Sequence, residues 1–131
     1  MTTRRASCSC GQLTVDCEGE PVRVSVCHCL ACQRRTGSVF GAQARFDRTR
    51  CTVRGRSTAY ARTGDSGGEI TFHFCPDCGA TVHYAIGGQP DLLAVPVGAF
   101  ADPSFSPPIY SVYEARKHAW VTLTGDLEHH D

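Results

Sequence analysis

Nine cysteines occur in this 131-residue chain, and seven of them fall into three short clusters. The clusters read Cys8-Ser9-Cys10-Gly11, Cys27-His28-Cys29-Leu30-Ala31-Cys32 and Cys75-Pro76-Asp77-Cys78-Gly79. A Cys-x-x-Cys turn followed by glycine is typical of a zinc knuckle, because the turn aims backbone N–H groups at the sulfurs and glycine supplies the unusual backbone angle. The spacing therefore predicts a zinc-binding protein.

Disulfide bonds are the alternative use for so many cysteines, and they need an oxidising compartment. The odd count would leave one thiol over, and no apolar signal-peptide core follows Arg4 and Arg5. No apolar stretch is long enough to cross a bilayer. We therefore expect a cytoplasmic protein, without membrane attachment, whose cysteines bind metal or perform thiol chemistry.

The number of clustered cysteines indicates two metal sites rather than one. A zinc ribbon built on Cys29-x-x-Cys32 and Cys75-x-x-Cys78 uses only four of the seven. Seven ligands divide more naturally as four and three, in which the four-thiolate site is closed and structural and the three-thiolate site keeps a position open for water or substrate. The closed site takes Cys8, Cys10, Cys75 and Cys78. The open site takes Cys27, Cys29 and Cys32, which one loop can supply.

The other cysteines and the histidines near the clusters carry weaker signals. Cys17 and Cys51 lie in strand-like runs, and we expect them to be buried as small hydrophobic residues. His28 stands between two cysteines on a tight loop, where we expect it to point outward rather than bind metal. His73 and His83 flank the third cluster at strand positions, and we expect them to be hydrogen-bonded structural residues.

Charge is balanced over the whole chain but not along it. Residues 34–62 contain eight arginines and one acid, a net charge of +7, whereas residues 63–131 contain nine acids and two basic residues, a net charge of −7. The simpler interpretation is that the two halves pair within one fold. The alternative is an anion-binding face, because arginine holds carboxylates through two parallel hydrogen bonds. Arg34 and Arg35, which follow Cys32 after one intervening residue, are the candidate substrate-binding residues. A neutral chain does not predict nucleic-acid binding.

The elements that must position these residues are mostly short strands. Alternating or β-branched runs separated by glycine- and proline-containing turns predict a mainly-β single domain over residues 1–131. The predicted strands cover residues 12–17, 22–26, 39–46, 51–54, 58–61, 69–74, 80–84, 92–97 and 119–123. Helical turns are predicted only at residues 30–36 and 113–117.

These motifs resemble the glutathione-dependent formaldehyde-activating enzymes, a zinc family that also contains centromere protein V. The resemblance runs nearly end to end and is most specific over residues 27–38. It continues through Phe74-Cys75-Pro76-Asp77-Cys78-Gly79 and residues 98–103, and closes on residues 112–120. One departure is Ser111, where the family often has histidine two residues before the aromatic residue of its last motif.

The resemblance implies a β-rich, tent-like fold of several short coiled antiparallel sheets built around zinc. It also implies a structural zinc on the four cysteines and a functional zinc on Cys27, Cys29 and Cys32, in agreement with the ligand count. The activity implied is that of a carbon–sulfur lyase or synthase, acting on adducts of a thiol such as glutathione with formaldehyde or another small aldehyde. The alternatives are a non-catalytic zinc-stabilised interaction module and a sensor that releases zinc when its thiols are oxidised. The oligomeric state is not predicted.

Overall fold

The computed structural model describes all 131 residues and contains eleven strands and one α-helix. The strands are β1 (Thr3–Ser7), β2 (Thr14–Glu18), β3 (Arg23–Cys27), β4 (Gly41–Asp47), β5 (Cys51–Arg54), β6 (Thr58–Thr63), β7 (Glu69–Phe74), β8 (Thr81–Ile86), β9 (Leu92–Pro96), β10 (Tyr110–Val112) and β11 (Glu128–His129). The helix α1 spans Leu30–Thr36. The predicted mainly-β class is therefore confirmed. The structure contains no helix with the length and apolar character of a membrane span.

The strands form two sheets. The smaller sheet has the order β1-β2-β5, and the larger has the order β11-β10-β3-β4-β9-β8-β7-β6. Neighbouring strands are antiparallel except that β10 runs parallel to both β3 and β11. Antiparallel pairing leaves the two faces of a sheet free to differ, and here both faces of the larger sheet are used.

The main hydrophobic core lies between the two sheets. Side chains of the smaller sheet such as Val15 pack against side chains of the larger sheet such as Phe46 and Val95, and all three are fully buried. Full burial of an apolar side chain of this size contributes about 1.5–3 kcal/mol each. The core therefore packs against one face of the larger sheet, and the opposite face of that sheet does not take part in it.

The opposite face of the larger sheet carries a row of residues in direct register. Phe72, Tyr84, Ala94, Arg45 and Arg23 are successive partners across β7, β8, β9, β4 and β3. The row passes from aromatic and apolar residues, which form a second small core, to two arginines. Side chains two residues apart on a strand share a face. The residues two and four positions from this row along β3 and β4 therefore face the same side of the sheet.

Helix α1 is short and is held at both ends by local contacts. The sulfur of Cys29 accepts a hydrogen bond from the backbone N–H of Cys32 at the first turn (3.3 Å). At the other end Gly37 adopts a left-handed conformation, with φ of 72°, and its N–H donates to the carbonyl of Gln33. The helix bounds agree with the predicted residues 30–36.

Most predicted strands are present, but the prediction for residues 119–123 is wrong. That segment forms turns and loop, with Val121 buried and Trp120 largely exposed. Its apolar residues suggested a strand, but no neighbouring strand pairs with it. The sequence also missed β1, β10 and β11, which are charged or very short. Where residues 113–117 predicted a helical turn, the chain forms one turn of 3₁₀ helix at Glu114–Arg116.

Candidate metal centres and the adjoining cavity

The first candidate metal centre joins the two sheets. Cys8 and Cys10 lie in the loop between β1 and β2 of the smaller sheet, and Cys75 and Cys78 lie in the turn between β7 and β8 of the larger one. All four sulfurs lie within 4.8 Å of one another. The structure therefore brings together the four cysteines that the sequence assigns to one site.

The sulfur separations in this cluster suit a tetrahedral ion. The Sγ–Sγ distance is 3.7 Å between Cys8 and Cys10 and 3.6 Å between Cys10 and Cys75. Four sulfurs at about 2.3 Å from a tetrahedral zinc are about 3.8 Å apart, whereas a disulfide brings two sulfurs to about 2.05 Å. All nine cysteines are free thiols. The donor set and its spacing fit a metal ion and do not fit disulfides.

Local hydrogen bonds favour the thiolate form of one cysteine in this cluster, Cys75. Cys75 accepts hydrogen bonds on Sγ from the side-chain amide of Gln12 (3.0 Å) and from the backbone N–H of Asp77 (3.4 Å). Burial opposes ionisation of Cys75, but these donors outweigh it and lower the pKa of its thiol to about 6. Metal binding requires deprotonated cysteine, so the lowered pKa of Cys75 favours its binding to a metal ion.

The second candidate metal centre is built from one stretch of chain. Cys27 ends β3, Cys29 is the residue before α1, and Cys32 lies in the first turn of that helix. Their three sulfurs lie within 4.8 Å of one another, and no fourth cysteine, histidine or carboxylate joins them. The structure thus brings together the predicted group of three and leaves one side of it without a protein ligand.

Positive charge surrounds Cys32. The pKa of the Cys32 thiol is lowered to about 6, chiefly by a hydrogen bond from the thiol of Cys27, which acts against burial, and in smaller part by the charges of Arg35 and Arg62. The pKa of Cys27 is raised, because its proton is shared with Cys32 and because it is buried. One thiolate is therefore already favoured in this cluster.

The three-cysteine cluster opens into a cavity of about 140 Å³ on the free face of the larger sheet. Four arginines and one acid, Asp65, line this inner cavity together with the cysteines. The arginines are Arg23, Arg35, Arg45 and Arg62. A wider outer cavity of about 630 Å³ shares several of these residues and adds Arg34, Leu30, Tyr60 and Phe74. Small polar sites of this kind beside a concave apolar wall are typical of ligand-binding clefts.

Arg35 is held in place by its surroundings, and Arg34 is not. The guanidinium carbon of Arg35 lies 5.0 Å from the ring centroid of Phe72 and 5.3 Å from that of Tyr84. Arg35 also lies over Gly41, since a Cβ on this glycine would be 3.1 Å from Nη2 of Arg35. Arg34 is exposed and lines only the outer cavity. Of the two predicted arginines, Arg35 is therefore the one that reaches the cysteine cluster.

The sequence missed the other arginines of the cavity. Arg62 comes from β6, and its guanidinium lies 5.4 Å from the ring centroid of Phe72. Arg23 and Arg45 come from β3 and β4. The excess of arginine over acid in residues 34–62 was a signal for Arg45 and Arg62, but strand register decides which arginines face the cavity. Part of that excess pairs within the fold, since Arg54 and Arg56 form salt bridges with acids.

His28 does not point outward, so that prediction is wrong. Its side chain is fully buried, and Nε2 lies 3.0 Å from the hydroxyl oxygen of Ser111. Burial lowers the pKa of His28, which favours the neutral ring. The loop is not exposed at this residue, because β10 pairs with β3 as far as Cys27 and the backbone N–H of His28 donates to the carbonyl of Val112.

The remaining predicted residues lie away from both clusters. Cys17 is fully buried, as expected, and Cys51 is partly buried against the same core, with the two sulfurs 3.9 Å apart. His73 lies 3.0 Å from the hydroxyl of Ser57 through Nδ1. The expectation that His83 is hydrogen-bonded is wrong, because both of its ring nitrogens are buried without a partner and its ring stacks on His73.

A comparison of the whole sequence with known families decides where this arrangement belongs. The model of the glutathione-dependent formaldehyde-activating enzyme family matches residues 3–116. This range includes both cysteine clusters and every arginine of the two cavities. The chain belongs to this family. The family description supports an enzyme-like role related to glutathione and formaldehyde.

Solved structures and curated proteins add less. The fold is similar to the crystal structure of a Rhodobacter sphaeroides protein, with a TM-score of 0.57 and 23% sequence identity, over 79% of this chain and 91% of that chain. At this level of identity the likeness concerns the fold alone. No curated protein matches the sequence significantly. The two cysteine clusters of this chain can hold metal ions.

Proposed function

We propose that this protein is a zinc-dependent carbon–sulfur lyase or synthase that acts on adducts of glutathione with formaldehyde or a related small aldehyde. The observation that carries the proposal is the three-cysteine cluster, whose side without a protein ligand opens into a cavity lined by arginines. Membership of the glutathione-dependent formaldehyde-activating enzyme family supports the choice of reactants.

We propose two zinc ions, one with a structural role and one with a functional role. The four cysteines Cys8, Cys10, Cys75 and Cys78 hold a closed structural ion, and Cys27, Cys29 and Cys32 hold the functional one. A zinc ion held by the three cysteines would favour the thiolate form of a substrate thiol and would polarise an aldehyde oxygen. Three protein ligands would leave a position for one small thiol.

The reaction needs little from the protein except orientation. The thiol loses its proton, its sulfur bonds to the aldehyde carbon as the carbonyl π bond opens, and a proton equivalent to the one released ends on the oxygen; the reverse reaction breaks the same carbon–sulfur bond and returns the proton to sulfur. Holding both reactants at one site raises their effective concentration and aligns them. Tyr84 is unsuited to act as a base, because burial raises its pKa and its hydroxyl donates to Gln43.

The arginines are proposed to hold the thiol substrate by its carboxylates. Glutathione has one thiol and two carboxylates, which suits a sulfur-binding centre with cationic side chains around it. Arg35 and Arg62 lie beside Cys32 and have no acidic partner in a salt bridge. Arg34 is placed to contact a part of the ligand that extends into the outer cavity.

Calorimetric titration of the zinc-loaded protein with glutathione tests the binding step. We expect binding at millimolar concentration or tighter, and a loss of about ten- to hundredfold in affinity in Arg35→Ala, which removes a charge-assisted contact worth about 1.5–3 kcal/mol. Arg35→Lys should restore only part of it, because lysine cannot form two parallel hydrogen bonds. Arg34→Ala is the matched variant, and its smaller effect would agree with its place at the outer cavity.

Exchange spectroscopy by NMR tests the chemistry. The protein should accelerate the exchange between free formaldehyde and its glutathione adduct beyond the uncatalysed rate, and Cys29→Ser should abolish the acceleration. Glutathione binding without acceleration would mean a thiol carrier rather than an enzyme. A protein that binds no thiol at millimolar concentration would instead be an interaction module or a thiol-based sensor.

A further inference from the structure

Two of the arginines that line the small cavity are neighbours across the larger sheet. Arg23 of β3 and Arg45 of β4 are direct cross-strand partners, and both line the cavity. Like charges opposite each other on neighbouring strands destabilise a sheet. Burial, and then the nearby charge of Arg23, lower the pKa of Arg45. Neither arginine takes part in any salt bridge of the protein.

The hydrogen-bonding capacity of these arginines is incompletely used. The Nε atoms of Arg23, Arg35 and Arg45 are buried and have no hydrogen-bond partner, and all three residues line the same cavity. A buried donor without an acceptor costs about 1–3 kcal/mol in general, and more when the group is charged. Three such donors at one cavity indicate that an acceptor with negative charge belongs there.

Packing holds the two facing arginines in place without neutralising them. The guanidinium carbon of Arg23 lies 4.3 Å from the ring centroid of Tyr110. Nη1 of Arg45 donates to the side-chain oxygen of Gln89 (3.1 Å). An aromatic ring and an amide orient a guanidinium but leave its charge uncompensated. Asp65, the one acid that lines the cavity, forms no salt bridge with either arginine, so both remain available to an anion from the ligand.

The distance to the cysteines bounds the ligand. Cys27, Ser25 and Arg23 alternate along β3 on one face, so the α-carbons of Cys27 and Arg23 are about 13 Å apart at a rise of about 3.3 Å per residue. The Arg23 side chain covers part of this distance, since its guanidinium lies over Tyr110, the register partner of Ser25. The cavity of about 140 Å³ has room for one acid group and the short chain that joins it to the sulfur, so the rest of a larger thiol would extend into the outer cavity.

We propose that Arg23 and Arg45 form an anion site that binds the carboxylate of the thiol substrate, so that the substrates are thiols with an acid group on a short chain. This inference rests on the proposed function, since it assumes that the three-cysteine centre binds the sulfur. It goes beyond that function by assigning a carboxylate to Arg23 and Arg45, which the proposed function leaves without a role, in addition to the contacts proposed for Arg35 and Arg34. The simplest members of the class are mercaptocarboxylates.

Calorimetry with three small probes tests the site in the zinc-loaded protein. The probes are 3-mercaptopropionate, its uncharged analogue 3-mercapto-1-propanol, and propionate, which lacks the thiol. We expect 3-mercaptopropionate to bind about ten- to hundredfold more tightly than the alcohol. Arg23→Gln and Arg45→Gln should each reduce this preference without changing the affinity for the alcohol. Arg50→Gln, which removes an exposed arginine outside the cavity, should leave the preference unchanged.

A thermal melt without ligand separates a binding role from a structural one. Because the two facing guanidinium groups repel each other, Arg45→Gln should keep or raise the melting temperature of the free protein. A clear fall in melting temperature together with an unchanged preference would make Arg45 structural and overturn the proposal.

The probes also distinguish this inference from the proposed function. Equal binding of the two thiols to the wild-type protein would refute the anion site while leaving thiol binding intact. Binding of propionate that depends on Arg45, with no binding of either thiol, would support the anion site and contradict the proposed function. Binding of none of the probes would overturn both.

Discussion

The Nε2 atom of His28 lies 3.0 Å from the hydroxyl oxygen of Ser111, and both side chains are fully buried. His28 stands between two cysteines of the second cluster, and Ser111 lies on β10, which pairs with β3. The contact therefore ties the cysteine loop to the end of the larger sheet.

Ser111→Ala should destabilise the protein by about 1–3 kcal/mol, because it leaves the imidazole of His28 buried without its partner. Urea denaturation monitored by circular dichroism measures the change. Ser104→Ala is the control, since Ser104 is exposed and only its backbone N–H makes a hydrogen bond. Equal stability of the two variants would show that the contact contributes nothing.

Protein purified under reducing conditions without chelator should contain two zinc ions per chain. The reason is the division of seven cysteine sulfurs into one group of four and one group of three. Elemental analysis by mass spectrometry gives the ratio directly. A ratio of one would mean that only one cluster binds metal, and a ratio near zero would refute both.

The two metal centres should differ in what their loss does to the fold. Cys78→Ser should unfold or aggregate the protein, because the four-cysteine centre links the two sheets and structural zinc contributes on the order of 10 kcal/mol to small zinc domains. Cys29→Ser should lower zinc content and activity but keep most of the fold, since its cluster comes from one stretch of chain. Thermal melts of the two variants decide, and equal destabilisation would mean that the structural and functional roles are misassigned.

Gly41→Ala should weaken glutathione binding without unfolding the protein. The added methyl group would lie 3.1 Å from Nη2 of Arg35 and 3.5 Å from Cβ of Cys32, so the guanidinium must move. A shift of a few tenths of an ångström weakens the charge-assisted contact without abolishing it, so we expect a loss of about two- to fivefold in affinity. Gly98→Ala is the control, because nothing lies within 4 Å of its added carbon. Calorimetry that gives the same affinity for both variants would remove Arg35 from the binding site.

Stability should fall as the pH drops from about 6.5 to about 4, in part because of His83. Burial lowers the pKa of His83 to about 4, and the charges of His73 and Arg48 add to the effect. The unfolded chain binds this proton at about pH 6.5, so protonation favours unfolding throughout that window, by at most about 3 kcal/mol.

The variant His83→Phe keeps an aromatic ring beside His73 but removes the titrating group. Its stability should therefore depend less on pH than that of the wild-type protein between pH 6.5 and 4. The exposed variant His130→Gln should retain the wild-type slope. Metal loss at low pH affects all three proteins, so the difference between their slopes in urea denaturation is the measurement.

The sequence by itself determined the features that a few adjacent residues encode. The helix at residues 30–36 and the turn that ends in Gly79 follow from local spacing and from the backbone angles that glycine permits. The division of the cysteines could be predicted as well, because ligand number limits how seven sulfurs are shared. Alternating residues gave most of the strands, although not β1, β10 and β11.

Only the tertiary structure decided which residues meet across the sheets. Arg23 and Arg45 lie 22 positions apart in the chain and look like ordinary strand charges, yet their register places them face to face in one cavity. A shift of one residue would turn either arginine to the opposite face of the sheet. His28 was misjudged for the same reason, because nothing in its own loop indicates that Ser111 covers it. Strand order and register are properties of the whole chain, and they set the environment of every side chain at this site.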